Sequence, residues 1–258
     1  KITRKEQLLV WESESEKEKF TQAFVSAYEK LMMWQNSNFA VHVFDICEAN
    51  QTCYTVMDAN KGLTFDKDIT ASLCDILKTV KLLAYVVGNY HSNGYLHLDL
   101  KPSNFLVYPR PSEHIVLFDM DTVVAVEDIK SGTIKATSYS DDWAAPEQKQ
   151  GKISKLCPAT DIYALGAILF EKIMGRSVEV EDTSVFADWD FEGRLFENVN
   201  PKIKRLLRNI FRKTLATNIN RRCQSADELI ALFEEAIKVT EQKTYLLSDN
   251  IVSDINFV

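Results

Sequence analysis

The 258-residue chain is 46% apolar and 26% charged, an ordinary globular composition with length for one large domain or two lobes. Its formal charge of −7 argues against nucleic acid as a partner, because a phosphate backbone requires a basic face. No run approaches 18 apolar residues, so neither a membrane span nor a membrane partner is expected; five scattered cysteines without a CxxC pair suit free thiols in a reducing, cytoplasmic setting.

Taken in chain order, residues 1–4 and 7–11 read as two short strands about the Lys5-Glu6 turn, and the apolar run there is too short for a signal peptide. Ser15 and Glu18 have the spacing of a capping box. Behind them Phe20, Phe24, Ala27, Tyr28 and Leu31 recur at helical spacing, which predicts a helix of roughly five turns. Strands follow over 40–47 and 52–57, joined by the polar turn Glu48-Ala49-Asn50-Gln51. Composition then turns helical. Residues 69–90 form a long apolar-periodic stretch, 163–173 are apolar nearly all round as in a buried helix, and 201–214 and 225–238 are amphipathic. Ser225 caps the last of these, with Glu228 three residues on. From Val239 the chain turns polar and reads as an irregular tail or linker.

The residues that carry chemistry lie near the middle. His97-Leu98-Asp99-Leu100-Lys101-Pro102-Ser103-Asn104 is followed by Phe118-Asp119-Met120-Asp121, then Trp143-Ala144-Ala145-Pro146-Glu147, then Asp161-Ile162-Tyr163-Ala164-Leu165-Gly166. In order and spacing these resemble the catalytic loop, metal-binding turn, Ala-Pro-Glu motif and buried helix of eukaryotic-type Ser/Thr protein kinases, over about residues 1–238. The resemblance implies an α+β, bilobal fold with a small strand-rich N-lobe carrying one long helix and a larger, mostly helical C-lobe. The expected division is 1–60 for the partial N-lobe and hinge, 61–238 for the C-lobe, and 239–258 for the tail.

On the same resemblance the activity is ATP- and Mg²⁺-dependent phosphotransfer to serine or threonine of a protein substrate. Asp99 would accept the substrate hydroxyl's proton and Lys101 would stabilise the moving phosphoryl group. Asn104 and Asp119 would hold Mg²⁺, a hard cation that takes oxygen ligands. Met57, Asp58 and Asn60 match the gatekeeper and hinge beside adenine, Leu106 the floor of that pocket, and Glu29 the helix glutamate that pairs with the ATP-gripping lysine. Met33, Met120 and His97 match a hydrophobic spine. Glu147 and Arg222 match a buried ion pair, and Asp161 the carboxylate that pins the catalytic loop through backbone N–H groups. His42, His91 and His114 read as surface or core residues without chemistry.

Three departures stand out. Leu98 replaces the usual Arg before the catalytic Asp, so an activation-loop phosphate would lack its basic partner. Asp121 stands where Gly is usual and creates an Asp-x-Asp pattern that suits a small-molecule phosphotransferase. The lysine position falls on Glu12 if residues 7–11 are the strand that normally ends in Lys, or on Lys1 in the other register. No glycine-rich loop is present; it would lie upstream, and further domains are expected on either side. A pseudokinase acting as a binding module therefore stands as the alternative to an active kinase.

Overall fold

The computed structural model describes residues 43–49, 52–57, 62–67, 72–108, 114–117, 119–120, 122–197 and 199–255. The readings over 1–42 (the first hairpin, the capped helix, Lys1, Glu12, Glu29, Met33 and His42) lie outside these residues, as do Asp58, Asn60, Phe118 and Asp121. In chain order the elements are β1 (Val43–Ala49), β2 (Thr52–Met57), β3 (Leu63–Thr64), α1 (Leu73–Ser92), β4 (Tyr95–Leu96), β5 (Phe105–Tyr108), β6 (His114–Leu117), β7 (Val124–Ala125), α2 (Val126–Lys130), α3 (Pro146–Lys149), α4 (Pro158–Met174), α5 (Pro201–Thr214) and α6 (Ala226–Ile255). The expected α+β fold holds. The chain divides into two compact units, Lys1–Lys67 with Pro102–Val123, and Asp68–Lys101 with Val124–Val258.

The first unit is strand-rich. β1 and β2 pair antiparallel, with Val43 opposite Met57 and Ala49 opposite Thr52, so the strands run further into the expected four-residue turn than its polar composition suggests. β3, β5 and β6 form a second antiparallel sheet in which β5 is central. Leu106 pairs with Thr64 on one side and Val116 on the other. Phe65 and Phe105, both fully buried, pack with ring centroids 5.4 Å apart and planes tilted by 38°, Phe105 being the first residue of β5. Residues 102–123 group with the first unit, because the β5–β6 hairpin pairs with β3.

The second unit is helical. α1 starts at Leu73 rather than Ile69, because Ser72 and Asp75 cap each other's backbone in a reciprocal box that fixes the N-terminus. Leu73, Ile76, Leu77, Val80, Leu83 and Val87 bury one face at three- and four-residue spacing. α1 packs along α6 and α4. α4 begins five residues earlier than the apolar run predicts, with Pro158 in its first turn where a missing N–H costs nothing. Gly175, at φ 69°, closes it in the left-handed conformation, its N–H donating to the Glu171 carbonyl at 2.8 Å. α5 matches its expected bounds.

α6 starts as expected, with the Glu228 N–H donating to Ser225 Oγ at 3.3 Å. It then continues to Ile255, through most of the segment read as an irregular tail. The correction has a simple cause. Neither Gly nor Pro occurs between Ala226 and Val258, so polarity alone was the evidence for a stop, and polar residues continue a helix readily. Among the described residues no helix is long and apolar enough to cross a membrane.

Candidate active site

The loop after β4 is held from three directions in the second unit. Asp161, 1% exposed in the first turn of α4, accepts the N–H of His97 at 2.9 Å on Oδ2 and the N–H of Leu98 at 2.8 Å on Oδ1. The pinning role expected for Asp161 is thus present. His91, in the last turn of α1, donates from Nε2 to the same Oδ2 at 2.9 Å. Burial by itself would raise the Asp161 carboxyl. The His91 hydrogen bond and charge, with the His97 charge and N–H, outweigh it and hold the group below its ordinary value.

Leu98 is the second anchor. Its φ is 66°, a region costly for a non-glycine side chain without local hydrogen bonds. Gln148 of α3, 4% exposed, donates from Nε2 to the Leu98 carbonyl at 2.7 Å and accepts the Ala145 N–H at 3.0 Å. The Leu98 side chain joins Leu96, Ile129 and Leu156 in a buried cluster, with Val124, Val126 and Ile153 against it. At a position where a basic side chain would meet a phosphate, this chain has an apolar contact to α2 and the turn before α4.

Asp99 and Lys101 are brought together: Nζ lies 2.9 Å from Oδ2, and the two side chains are 11% and 23% exposed. Lys101 also donates to Ser140 Oγ at 2.9 Å. Burial pushes the Asp99 carboxyl up, but hydrogen bonds from Lys101 and Ser140 and the charges of Lys101 and His97 hold it below the usual carboxylate range. The group is an anion at neutral pH, aimed by an ammonium and a hydroxyl. Sequence reasoning did not single out Ser140 or Gln148, and it read His91, the partner of Asp161, as a residue without chemistry. Ser140 offered one signal, a hydroxyl five residues before Ala145, but its partner Lys101 is 39 residues away.

Asn104 and Asp119 belong to the first unit. Asn104, 3% exposed, closes a 3-10 turn directly before β5. Because Phe105 pairs with Leu117, Asn104 and Asp119 emerge at the same end of the β5–β6 ladder. Asp119 takes φ 68°. An amide oxygen and a carboxylate are hard donors, the chemistry Mg²⁺ requires, so this pair fits that ion. Leu106 is half-buried in β5 and Met57 ends β2; His97 and Met120 are fully buried. His114 opens β6 opposite Tyr108.

Beneath the loop, Arg222 donates to both Glu147 oxygens at 2.8 Å, with side chains 0% and 6% exposed. It also donates to the Ala216 and Ala159 carbonyls and lies 4.9 Å from the Tyr163 ring centroid. The expected buried pair is present.

Residues 9–242 match the protein kinase domain family. The chain belongs to that family. This kinase domain is 26% identical over 201 residues to serine/threonine-protein kinase PrkC of Bacillus subtilis, covering 74% of the chain and 30% of that protein. It is 28% identical over 197 residues to the probable serine/threonine-protein kinase PknB of Lactococcus lactis, covering 74% and 31%. Calcium/calmodulin-dependent protein kinase type 1 of Caenorhabditis elegans is 24% identical over 186 residues, 68% of the chain and 52% of that protein. The kinase domain spans about a third of the two bacterial relatives' length.

Proposed function

We propose that this kinase domain transfers the γ-phosphoryl group of ATP to serine or threonine hydroxyls of a protein substrate, with Mg²⁺ as cofactor. The observation that carries the reading is the Asp99–Lys101–Ser140 arrangement on a loop pinned by Asp161. Asp99 accepts a hydrogen bond from the incoming hydroxyl and takes its proton as the new oxygen–phosphorus bond forms. The bond to the β–γ bridging oxygen breaks, and ADP leaves. A base held below the usual carboxylate range suits a loose transition state, in which orientation of the hydroxyl matters more than early proton removal. Lys101 is proposed to stabilise phosphoryl charge, with its ammonium tethered to Ser140 Oγ at 2.9 Å. Asn104 and Asp119 would hold Mg²⁺, which when bound neutralises charge on the phosphates. Met57, Asp58, Asn60 and Leu106 are proposed to receive adenine, and Glu29 to orient the phosphate-gripping residue. Relatives named as serine/threonine kinases support the hydroxyl class.

Asp99→Asn in the full-length protein should lower radiolabelled phosphate incorporation into a generic protein acceptor by about 10²-fold or more, with nucleotide binding retained. Activity within about tenfold of the parent removes Asp99 from the mechanism. One sequence feature favours a non-catalytic binding module: in the register that makes residues 7–11 the lysine strand, rather than the one that uses Lys1, Glu12 takes the lysine's place, where a carboxylate repels phosphate. Calorimetric titration of ATP with Mg²⁺ and with EDTA separates the readings. The kinase reading expects binding only with Mg²⁺. Absence of binding in both conditions supports the module.

A further inference from the structure

α5 buries Ile203, Leu207, Ile210 and Phe211 on one face, and the same period turns Arg208 and Arg212, one helical turn apart, outward. Arg208 is committed: Nε donates to Asp188 at 2.6 Å and Nη2 to the Trp189 carbonyl at 3.1 Å. Arg212 is not. Its charge reaches Asp188, which already holds Arg208, but its guanidinium has no hydrogen bond or ion pair among the described residues. The same is true of the exposed Arg221 side chain, on the 3-10 turn Ile219–Arg221 that follows α5.

Both free arginines line one small cleft of about 40 Å³. Trp189 and Phe211 give it a rigid wall, buried and packed edge to face with ring centroids 5.3 Å apart. The carboxylate in the lining is already satisfied. Asp182 accepts Arg176 Nη1 at 2.6 Å and Nη2 at 3.0 Å, the Glu179 N–H at 2.9 Å and the Trp189 indole N–H at 3.0 Å. Glu179 and Glu181, on the neighbouring turn, are not part of the lining. Ser184 and Val185 are, and each brings a donor. Ser184 Oγ accepts the Phe186 N–H at 3.2 Å, so its own proton has no acceptor among the described residues, and neither has the Val185 N–H. Two cationic forks, a hydroxyl and an amide around a cleft without an uncommitted carboxylate are the make-up of an oxyanion site.

We propose that this cleft binds the phosphoryl group of a phosphorylated serine or threonine in a protein segment. A phosphomonoester carries a charge of about −1.5 to −2 at neutral pH and three acceptor oxygens, a match for two guanidinium groups. Size selects the form of the ligand. One water needs roughly 10–15 Å³ and small-molecule pockets begin near about 300 Å³, so the cleft takes a single phosphoryl group and not a nucleotide. The rest of the ligand lies outside it. There Val185, 49% exposed, and its chain neighbour Phe186, 91% exposed, offer apolar surface that a peptide covers and free phosphate does not.

The test uses the full-length protein without nucleotide, so it stands apart from phosphotransfer. The probe is a short synthetic peptide with one phosphoserine between leucines. Its controls are the unphosphorylated peptide, the peptide with glutamate in place of phosphoserine, and inorganic phosphate. The phosphopeptide should bind in calorimetry more tightly than inorganic phosphate and weaken with rising salt, and the unphosphorylated peptide should not bind. Arg212→Gln and Arg221→Gln should each weaken the phosphopeptide by at least about tenfold at an unchanged melting temperature, because neither guanidinium has a partner within the fold. If either variant melts lower, its lysine counterpart, which keeps the charge and loses the fork, takes its place and should weaken binding by at least about threefold. No binding of the phosphopeptide, equal binding of the unphosphorylated or glutamate peptide, or parental affinity in the variants overturns the proposal. So does equal binding of inorganic phosphate, which assigns the cleft to a free anion.

Discussion

Leu98 shows how single residues hold the catalytic loop. Its N–H goes to Asp161, its carbonyl takes the Gln148 amide, and its side chain fills the cluster with Leu96, Ile129 and Leu156. Three constraints on one residue keep a leucine at φ 66°, which unsupported backbone would abandon. The apolar contact also anchors α2 without a phosphate. Glu147 and Arg222 are the other tightly determined pair. Removing the glutamate strands a fully buried guanidinium, so Glu147→Ala should cost roughly 3–5 kcal/mol. Denaturant melts of Glu147→Ala, Arg222→Ala and the double variant test this: strong coupling is expected, and additive costs would mean the pair contributes nothing jointly. At this scale the motif residues were legible because each belongs to a spaced string. Ser140, Gln148 and His91 were not, because their partners lie far off in sequence and a lone Ser, Gln or His carries no periodicity.

Among the elements, α4 and α5 approach each other closely at Gly166. A Cβ added at Gly166 would overlap Thr214, whose hydroxyl donates to the Ile210 carbonyl within its own helix. Gly166→Ala should therefore destabilise the fold by roughly 1–3 kcal/mol, although alanine is the better helix former. Pairing it with Thr214→Gly should cost less than the two single changes added. Equal or greater cost, read from melts, would show that the helices do not meet there. Element identity followed from period, as the match of α5 to 201–214 shows. Boundaries followed only where a cap or Gly marked them: Ser72 moved the start of α1, Pro158 that of α4, and α6 ran past Val239 because nothing stopped it.

Across the whole molecule, three buried or half-buried aspartates share one direction. Asp99, Asp161 and Asp182 are opposed by burial but held below the ordinary carboxylate range by Lys101, His91 and Arg176 respectively. A depressed folded value contributes stability above the unfolded value of about 3.9 and loses it as pH falls through the folded one. Burial pushes the Tyr163 phenol up to about 12 and the Cys223 thiol up to about 11. A raised value contributes stability below the unfolded pKa, about 8.5 for Cys and about 10 for Tyr, and loses it as pH rises through the folded one. The melting temperature should accordingly be flat from about pH 5 to about pH 8 and fall on both sides; a maximum below pH 4 would contradict these assignments. The sequence by itself determined the α+β class, the protein kinase family and the periods of the helices among the described residues, because periodicity and motif spacing are local properties of the chain. Tertiary structure alone decided that Ser140 reaches Lys101, that Gln148 and Asp161 clamp Leu98, that 102–123 groups with the strands, and that Phe186 faces water while Trp189 does not. Those outcomes depend on hydrogen bonds and packing between residues tens of positions apart, where burial and partner geometry select among side chains that look alike in the sequence.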